Sequence, residues 1–234
     1  PTDHNSENTV YNVDFSKPFV QSIWDSAGND TLDLGTSTYE CLINLEPGSY
    51  STIPCYNWSM PDNLGIAFGA VIENAIGGLK NDIISGNSED NFLDGGSGDD
   101  ILRGGAGNDV FDWNDAKRSG KDEFYGEEGD DVFVVDNPSD SVIEIANEGS
   151  DLVWVGIDRY NLPSNVERVS SLLEKTVTLF GNILDNEIRG NDGSDFLNGV
   201  EGNDIIFGGS GNDTITGGTG DDILYGENGF DNFI

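Results

Sequence analysis

From Gly190 onward a large apolar side chain returns every nine positions, at Leu197, Ile206, Ile215, Leu224 and Phe233, always two residues after an aspartate. The units read GNDGSDFLN, GVEGNDIIF, GGSGNDTIT, GGTGDDILY and GENGFDNFI, and their phase never slips. An earlier block from Gly77, GGLKNDIIS, GNSEDNFLD, GGSGDDILR and GGAGNDVFD, places Ile84, Leu93, Leu102 and Phe111 at the same step. Four extra residues, Trp113 to Ala116, interrupt the frame, which resumes in KRSGKDEFY and GEEGDDVFV with Phe124 and Phe133. A degenerate unit, GNILDNEIR, leads into the second block. The residues after the sixth position alternate, which predicts a short strand whose eighth position points inward. The glycines at positions one, two and four predict a turn through φ > 0. Two nonapeptides then make one coil of a parallel β-roll, an all-β solenoid in which each coil buries its apolar side only against its neighbours. A flexible acidic linker would have no reason to keep such a phase.

Charge decides what fills the turns. The 234 residues carry 44 acidic and 10 basic side chains, a formal charge of −34. That excludes a basic surface for nucleic acid or an anionic membrane. The carboxylates need neutralising before the chain packs, and a hard cation with oxygen ligands suits them. No apolar run of about 18 residues exists, so no membrane span or secretory leader is expected. The polar opening, Pro1 to Asn8, reads as a cut from a longer chain. Cys41 and Cys55 lack the histidine or cysteine partners of a structural zinc site. They form a local disulfide in an oxidising compartment or stay as two free thiols.

The pattern G-G-x-G-x-D-x-U-x resembles the calcium-binding nonapeptide of RTX (hemolysin-type) proteins. Upstream, SIWDSAGNDTLDL, INLEPGSYSTI and NLGIAFGAVIENAIGG resemble the C-terminal domain of serralysin-type metalloproteases of peptidase family M10, over roughly residues 20 to 112. This chain departs from that family in the insertion around Cys41 to Met60, in Lys80 where glycine is usual, and in a longer second half. The resemblance implies several calcium ions between stacked turns. Each takes the carbonyls of positions two and four and the side chain of six from one turn, and positions one, three and six of the turn eighteen residues on. Gly78, Lys80 and Asp82 would then face Gly95, Ser97 and Asp100, and Asn87, Glu89 and Asn91 would face Gly104, Ala106 and Asp109. Gly96, Gly98, Gly105 and Gly107 are further carbonyl candidates of the same turns, as are the carboxylates Asp122 and Asp131 beyond the interruption. In the second block Asn191, Gly193 and Asp195 would face Gly208, Ser210 and Asp213. Val200, Gly202 and Asp204, with Gly199 and Glu201 of their turn, would face Gly217, Thr219 and Asp222. Gly209, Gly211 and Asp213 would face Gly226, Asn228 and Asp231, and Gly218 and Gly220 complete the set. Asp25, Ala27, Gly28 and Asp30 match another calcium loop of the family, and Glu73 a carboxylate that closes the first turn. Asn91 and Asn186 stand where aspartate is usual and should weaken their sites, because a charge is lost while an oxygen remains.

The resulting organisation is an N-terminal part of the serralysin-like domain (1–76), a first roll block (77–134), a connecting segment (135–180) and a second block (181–234). The connecting segment resembles the longer linking repeats of bacterial RTX proteins, with an acidic turn at Asn147 to Asp151 and an NVE motif at Asn165 to Glu167. It reads as more β-solenoid without regular calcium turns, or as a small subdomain.

Catalytic motifs are missing. The sole histidine, His4, cannot supply the three of a metzincin motif, and no nucleophile elbow or Walker loop appears. Almost every aspartate is accounted for by the repeat, which leaves no glycosidase pair. Trp24, Trp58, Trp113 and Trp154 fit a sugar-stacking surface or roll caps. Lys117, Arg118 and Lys121 form the one basic cluster, read as a solvated loop end. The expected function is a non-catalytic calcium module of a secreted, extracellular bacterial protein that folds on metal binding, with an upstream zinc protease domain as its partner. The resemblance adds type I secretion. The ending Asp231 to Ile234 superficially resembles that route's signal, but it falls in the repeat frame and reads as a truncated roll. The rivals are an adhesin or surface-layer spacer with a carbohydrate or surface ligand, and the calcium module of a polysaccharide-processing enzyme.

Overall fold

The computed structural model describes residues 7–25, 27–55, 60–112 and 120–234. His4, Trp58, Trp113, Lys117 and Arg118 lie outside the described residues. Two compact units divide the chain, residues 1–128 with 139–141, and residues 129–138 with 142–234. The described residues contain no helix; both units are parallel β-solenoids built of strands two to six residues long.

In the first unit, Val10–Asn12, Thr31–Asp33, Asn74–Ile76, Phe92–Asp94 and Val110–Phe111 pair in parallel in that order. Leu42–Asn44, Ile83–Ser85, Ile101–Ala106 and Glu123–Glu128 form a second parallel ladder. Ile83 lies opposite Ile101 and Phe92 opposite Val110, an offset of 18 that makes two nonapeptides one coil. Across the interruption Ile101 lies opposite Glu123, so the four extra residues loop out of a coil of 22. The cysteine-bearing insertion adds Tyr50–Ser51, which pairs antiparallel with Leu64–Ile66.

In the second unit one ladder runs through Val132–Val135, Leu152–Val155, Arg168–Ser171, Glu187–Asn191, Ile205–Ser210 and Ile223–Asn228. The other runs through Arg159–Asn161, Thr178–Phe180, Phe196–Glu201, Thr214–Thr219 and Asn232–Phe233. The connecting segment is therefore solenoid. Its coils step by 20, 16 and 19 residues (Val132 to Leu152, Leu152 to Arg168, Arg168 to Glu187) before the step settles at 18, which is why the sequence period disappears there.

Nine of the eleven predicted inward residues, from Ile84 to Ile215, are buried. Each such side chain stabilises the coil by about 1.5–3 kcal/mol relative to exposure. Leu224 is half-buried and Phe233 is 51 % exposed, because both lie on the outermost coils, where only one neighbour covers them. Val153, Val155, Val166, Val169, Val177 and Leu179 continue the core through the connecting segment. Cys41 and Cys55 are both buried free thiols. Burial pushes the Cys41 thiol up to about 12, with its Sγ 3.4 Å from Ser37 Oγ. Trp24 is exposed and Trp154 half-buried. Lys121 pairs with Glu123 at 3.0 Å.

Candidate metal centres

At each turn the position-six carboxylate lies over the glycine at position one of its own turn. A Cβ on Gly95, Gly104, Gly199, Gly208 or Gly217 would run into Asp100, Asp109, Asp204, Asp213 or Asp222 respectively. On Gly77, Gly104, Gly190, Gly199 or Gly208 it would also meet the carbonyl oxygen of position one in the following turn. Position one is thus walled by a carboxylate and a carbonyl, which only glycine permits.

The carboxylates form ladders along the edges of the coils. In the first unit the Asp82 N–H donates to Asp100 Oδ1 at 2.7 Å, Asp100 N–H to Asp122 Oδ1 at 2.8 Å, and Asp122 N–H to Asp140 Oδ1 at 3.1 Å. On the other edge Thr9 N–H donates to Asp30, Asp30 N–H to Glu73 Oε2 and Asn91 N–H to Asp109, at 2.7–2.8 Å. In the second unit Val177, Asp195 and Asp213 donate in turn to Asp195, Asp213 and Asp231 at 2.8–3.0 Å. Asp131 and Asp151 donate to Asp151 and Glu167, and Asn186 and Asp204 to Asp204 and Asp222. One amide per carboxylate does not neutralise it. The Oδ2 atoms of Asp30, Asp204 and Asp213 are buried and accept no hydrogen bond.

The electrostatics follow from that burial. Desolvation first, then Asp122, Asp82 and Asp112, push Asp100 up to about 8. Desolvation, with Glu167 and Asp130, pushes Asp151 up to about 6. Burial likewise raises Asp82, Asp195, Asp204 and Asp213. Asp30 is raised by burial and by the neighbouring Asp25 and Glu73. Asp25 is buried and accepts a 2.6 Å hydrogen bond from Tyr11. Gly28, at φ +119°, packs where a Cβ would press on the Glu7 carbonyl, and Ala27 lies exposed beside it. Buried carboxylates raised by lack of solvation, beside converging carbonyls, form a donor set that fits a hard divalent cation.

The pairings expected from the repeat frame are present as geometry. Ser97 N–H donates to Gly78 O and Ala106 N–H to Asn87 O. Asn191 lies opposite Gly209, Val200 opposite Gly218 and Gly209 opposite Glu227. The interior turns set their second and fourth residues left-handed: Gly96 and Gly98, Gly105 and Gly107, Glu127 and Gly129, Val200 and Gly202, Gly209 and Gly211, Gly218 and Gly220, Glu227 and Gly229. The turns that open each block do not. Gly78 and Lys80, Asn87 and Glu89, Asn182 and Leu184, and Asn191 and Gly193 all have ordinary φ. Lys80 can replace glycine for that reason.

Several participants were not among the sequence candidates. Asp140, Asp151 and Glu167 continue the position-six ladders, and one oxygen each of the buried Asp131, Glu144 and Asp151 lies within 4.8 Å of the others. The motif V-E-R-V at 166–169, like I-E-N-A at 72–75, was the available signal: an acid two residues before an inward apolar position. Position five makes a second ladder, in which its side chain accepts from the main chain of the next coil. Asp99 donates to Asn81, Asn108 to Asp90, Asn203 to Asp185 and Asp221 to Asn203, at 2.7–3.0 Å. The recurrence of Asn, Asp or Ser before the aspartate announced it.

Residues 3–196 match the family described as peptidase M10 serralysin C terminal. Residues 180–214 and 198–233 match the RTX calcium-binding nonapeptide repeat. The chain is similar to serralysin of Proteus mirabilis, 42 % identical over 79 residues, 34 % of this chain and 15 % of the relative. It is 41 % identical over 88 residues to serralysin G of Dickeya chrysanthemi, 37 % of this chain and 18 % of the relative. With metallopeptidase AprA of Pseudomonas marginalis it shares 44 % identity over 72 residues, 31 % of this chain and 14 % of the relative. The match thus spans less than a fifth of each relative.

Proposed function

The chain belongs to the peptidase M10 serralysin C-terminal family, whose RTX repeats bind calcium, and from that premise we propose that its folding is coupled to calcium taken up after export. The carrying observation is the pair of ladders of buried carboxylates, with the Oδ2 atoms of Asp30, Asp204 and Asp213 left without a hydrogen bond. Calcium between stacked turns supplies the positive charge that these residues need. Asp82, Asp100 and Asp109 would hold it in the first unit, and Asp195, Asp204, Asp213 and Asp222 in the second, with carbonyls of the glycine turns beside them. Asp25, Asp30 and Glu73 form a further candidate pocket. At low calcium the carboxylates repel and the chain stays exportable; at the 10⁻⁴ to 10⁻³ M affinity common to extracellular modules, about millimolar calcium folds it.

The parent protein is read as a secreted zinc protease, with its catalytic domain upstream and export by a type I route. The family match favours this reading over a surface-layer spacer or a polysaccharide-processing enzyme. Calcium titration of the chelated chain, followed by far-UV circular dichroism, tests the coupling. A disordered spectrum in chelator should turn to β at millimolar calcium, with magnesium much less effective. Full β structure in chelator would overturn the proposal.

A further inference from the structure

Two turns, 86–91 and 181–186, carry asparagine at both position two and position six. Both make the same network. Asn87 N–H donates to Asn91 Oδ1 at 2.8 Å and Asn182 N–H to Asn186 Oδ1 at 2.7 Å. The amide Nδ2 of Asn87 donates to Ile72 O at 2.9 Å and to Leu45 O at 3.3 Å. That of Asn182 donates to Pro163 O and Val166 O, both at 2.7 Å. The position-six amides reach the same preceding coil, Asn91 donating to Glu73 O at 2.8 Å and Asn186 to Val166 O and Glu167 O at 3.3 Å.

These contacts reverse the polarity of the ladder. Elsewhere a position-six oxygen accepts an N–H from the preceding coil. Here an N–H₂ donates to that coil's carbonyls, and the coil behind is not a glycine turn. Carbonyl oxygens that converge on one point need a cation or hydrogen-bond donors. Two neutral amides supply the donors without the dehydration that a divalent ion requires. We propose that turns 86–91 and 181–186 are closed toward the preceding coil by asparagine amides in place of a cation, so that no calcium binds behind them. Each block then starts from a coil junction held without metal, and calcium is taken up only on the following side. The inference rests on the calcium reading above and specifies where that reading stops. Asn191 makes the same backward contact, to Lys175 O at 2.9 Å and Ser171 Oγ at 3.0 Å, although aspartate occupies its position six.

Asn182 offers the clean test, because its side chain faces only backward and its forward carbonyl survives substitution. Asn182→Asp sets a carboxylate against the carbonyls of Pro163 and Val166. The full chain should then need about tenfold more calcium to fold, the cost of facing acceptors, while native mass spectrometry counts the same number of bound ions. A lower calcium midpoint, or an additional ion, would show that the junction is a cation site that asparagine had merely weakened. Asn182→Ala covers the case in which the aspartate variant does not fold. It should unfold at lower urea in saturating calcium with its ion count unchanged, and the loss of one ion would overturn the proposal. Wild-type chain that folds in chelator would sink calcium-coupled folding alone, since the urea ranking of the variants would still report on the clamp.

Discussion

The opening turns and the interior turns share one sequence frame but solve different problems. An interior turn stacks on a turn like itself. A Cβ on Gly96 would strike Gly78 O, one on Gly105 Asn87 O, one on Gly107 Glu89 O and one on Gly218 Val200 O. Positions two and four must therefore bend left-handed and stay bare where the preceding carbonyls converge. An opening turn stacks on an irregular coil, keeps ordinary φ and uses its side chains: Asn87, Asn182 and Asn191 reach backward, and Lys80 and Glu89 are tolerated. Glycine in this repeat thus reflects the neighbour behind it and not the turn alone.

The largest effect that separates the two classes is expected at position four. Gly107→Ala, at φ +113° and against Glu89 O, should cost about 3 kcal/mol, whereas Glu89→Ala in the opening turn should stay within about 0.5 kcal/mol. Urea unfolding in saturating calcium measures both, and equal losses would dissolve the distinction. Next comes position six. Asp213 is linked to coils on both sides, accepting from Asp195 N–H and donating to Asp231, so Asp213→Ala should weaken two sites and raise the calcium midpoint about tenfold. Asp195→Ala in an opening turn should raise it less.

Acid should act as a weaker substitute for calcium. Asp100, at about 8, and Asp151, at about 6, lie above the roughly 3.9 of an unfolded aspartate. Protonated, they stabilise the metal-free fold; that contribution is complete below pH of about 4 and is lost as pH rises through 6 and then 8. Circular dichroism in chelator should show β structure growing as pH falls from 8 toward 4, the interior Asp100 setting the upper limit. The smallest effect has the opposite sign. Val200 is a β-branched residue at φ +85°, and Val200→Gly should stabilise the chain by about 1 kcal/mol, strain relief exceeding the entropy of the added glycine. The same change at Asn182, where φ is ordinary, should only destabilise.

The coil length, the stacking of each unit on the one eighteen residues on, and the inward residues from Ile84 to Ile215 were legible because each is a phase relation, and phase survives in a single sequence. The looping-out at Trp113 to Ala116 was legible as a break in that phase. The ladder through Asp151 and Glu167 was not, since coils of 20, 16 and 19 residues keep the spatial register while they destroy the sequence period. Asn91 and Asn186 looked like aspartates lacking a charge. Their second role depends on what the coil behind presents, a carbonyl instead of an N–H, and that is a property of the stack.

The edge ladders of the second unit also set a charge per unit length. Neighbouring coils lie about 4.8 Å apart, so two edges that each offer one carboxylate per coil place a negative charge about every 2.4 Å along the stack. Duplex DNA carries one per about 1.7 Å. At such a line density mobile cations condense on the stack whatever the affinity of any single turn, and calcium enters by displacing a sodium atmosphere. Its apparent affinity should then fall linearly with the logarithm of the salt concentration, as it does for ligands of a nucleic acid. In ionic terms this protein behaves as a polyelectrolyte whose counterion is part of its fold.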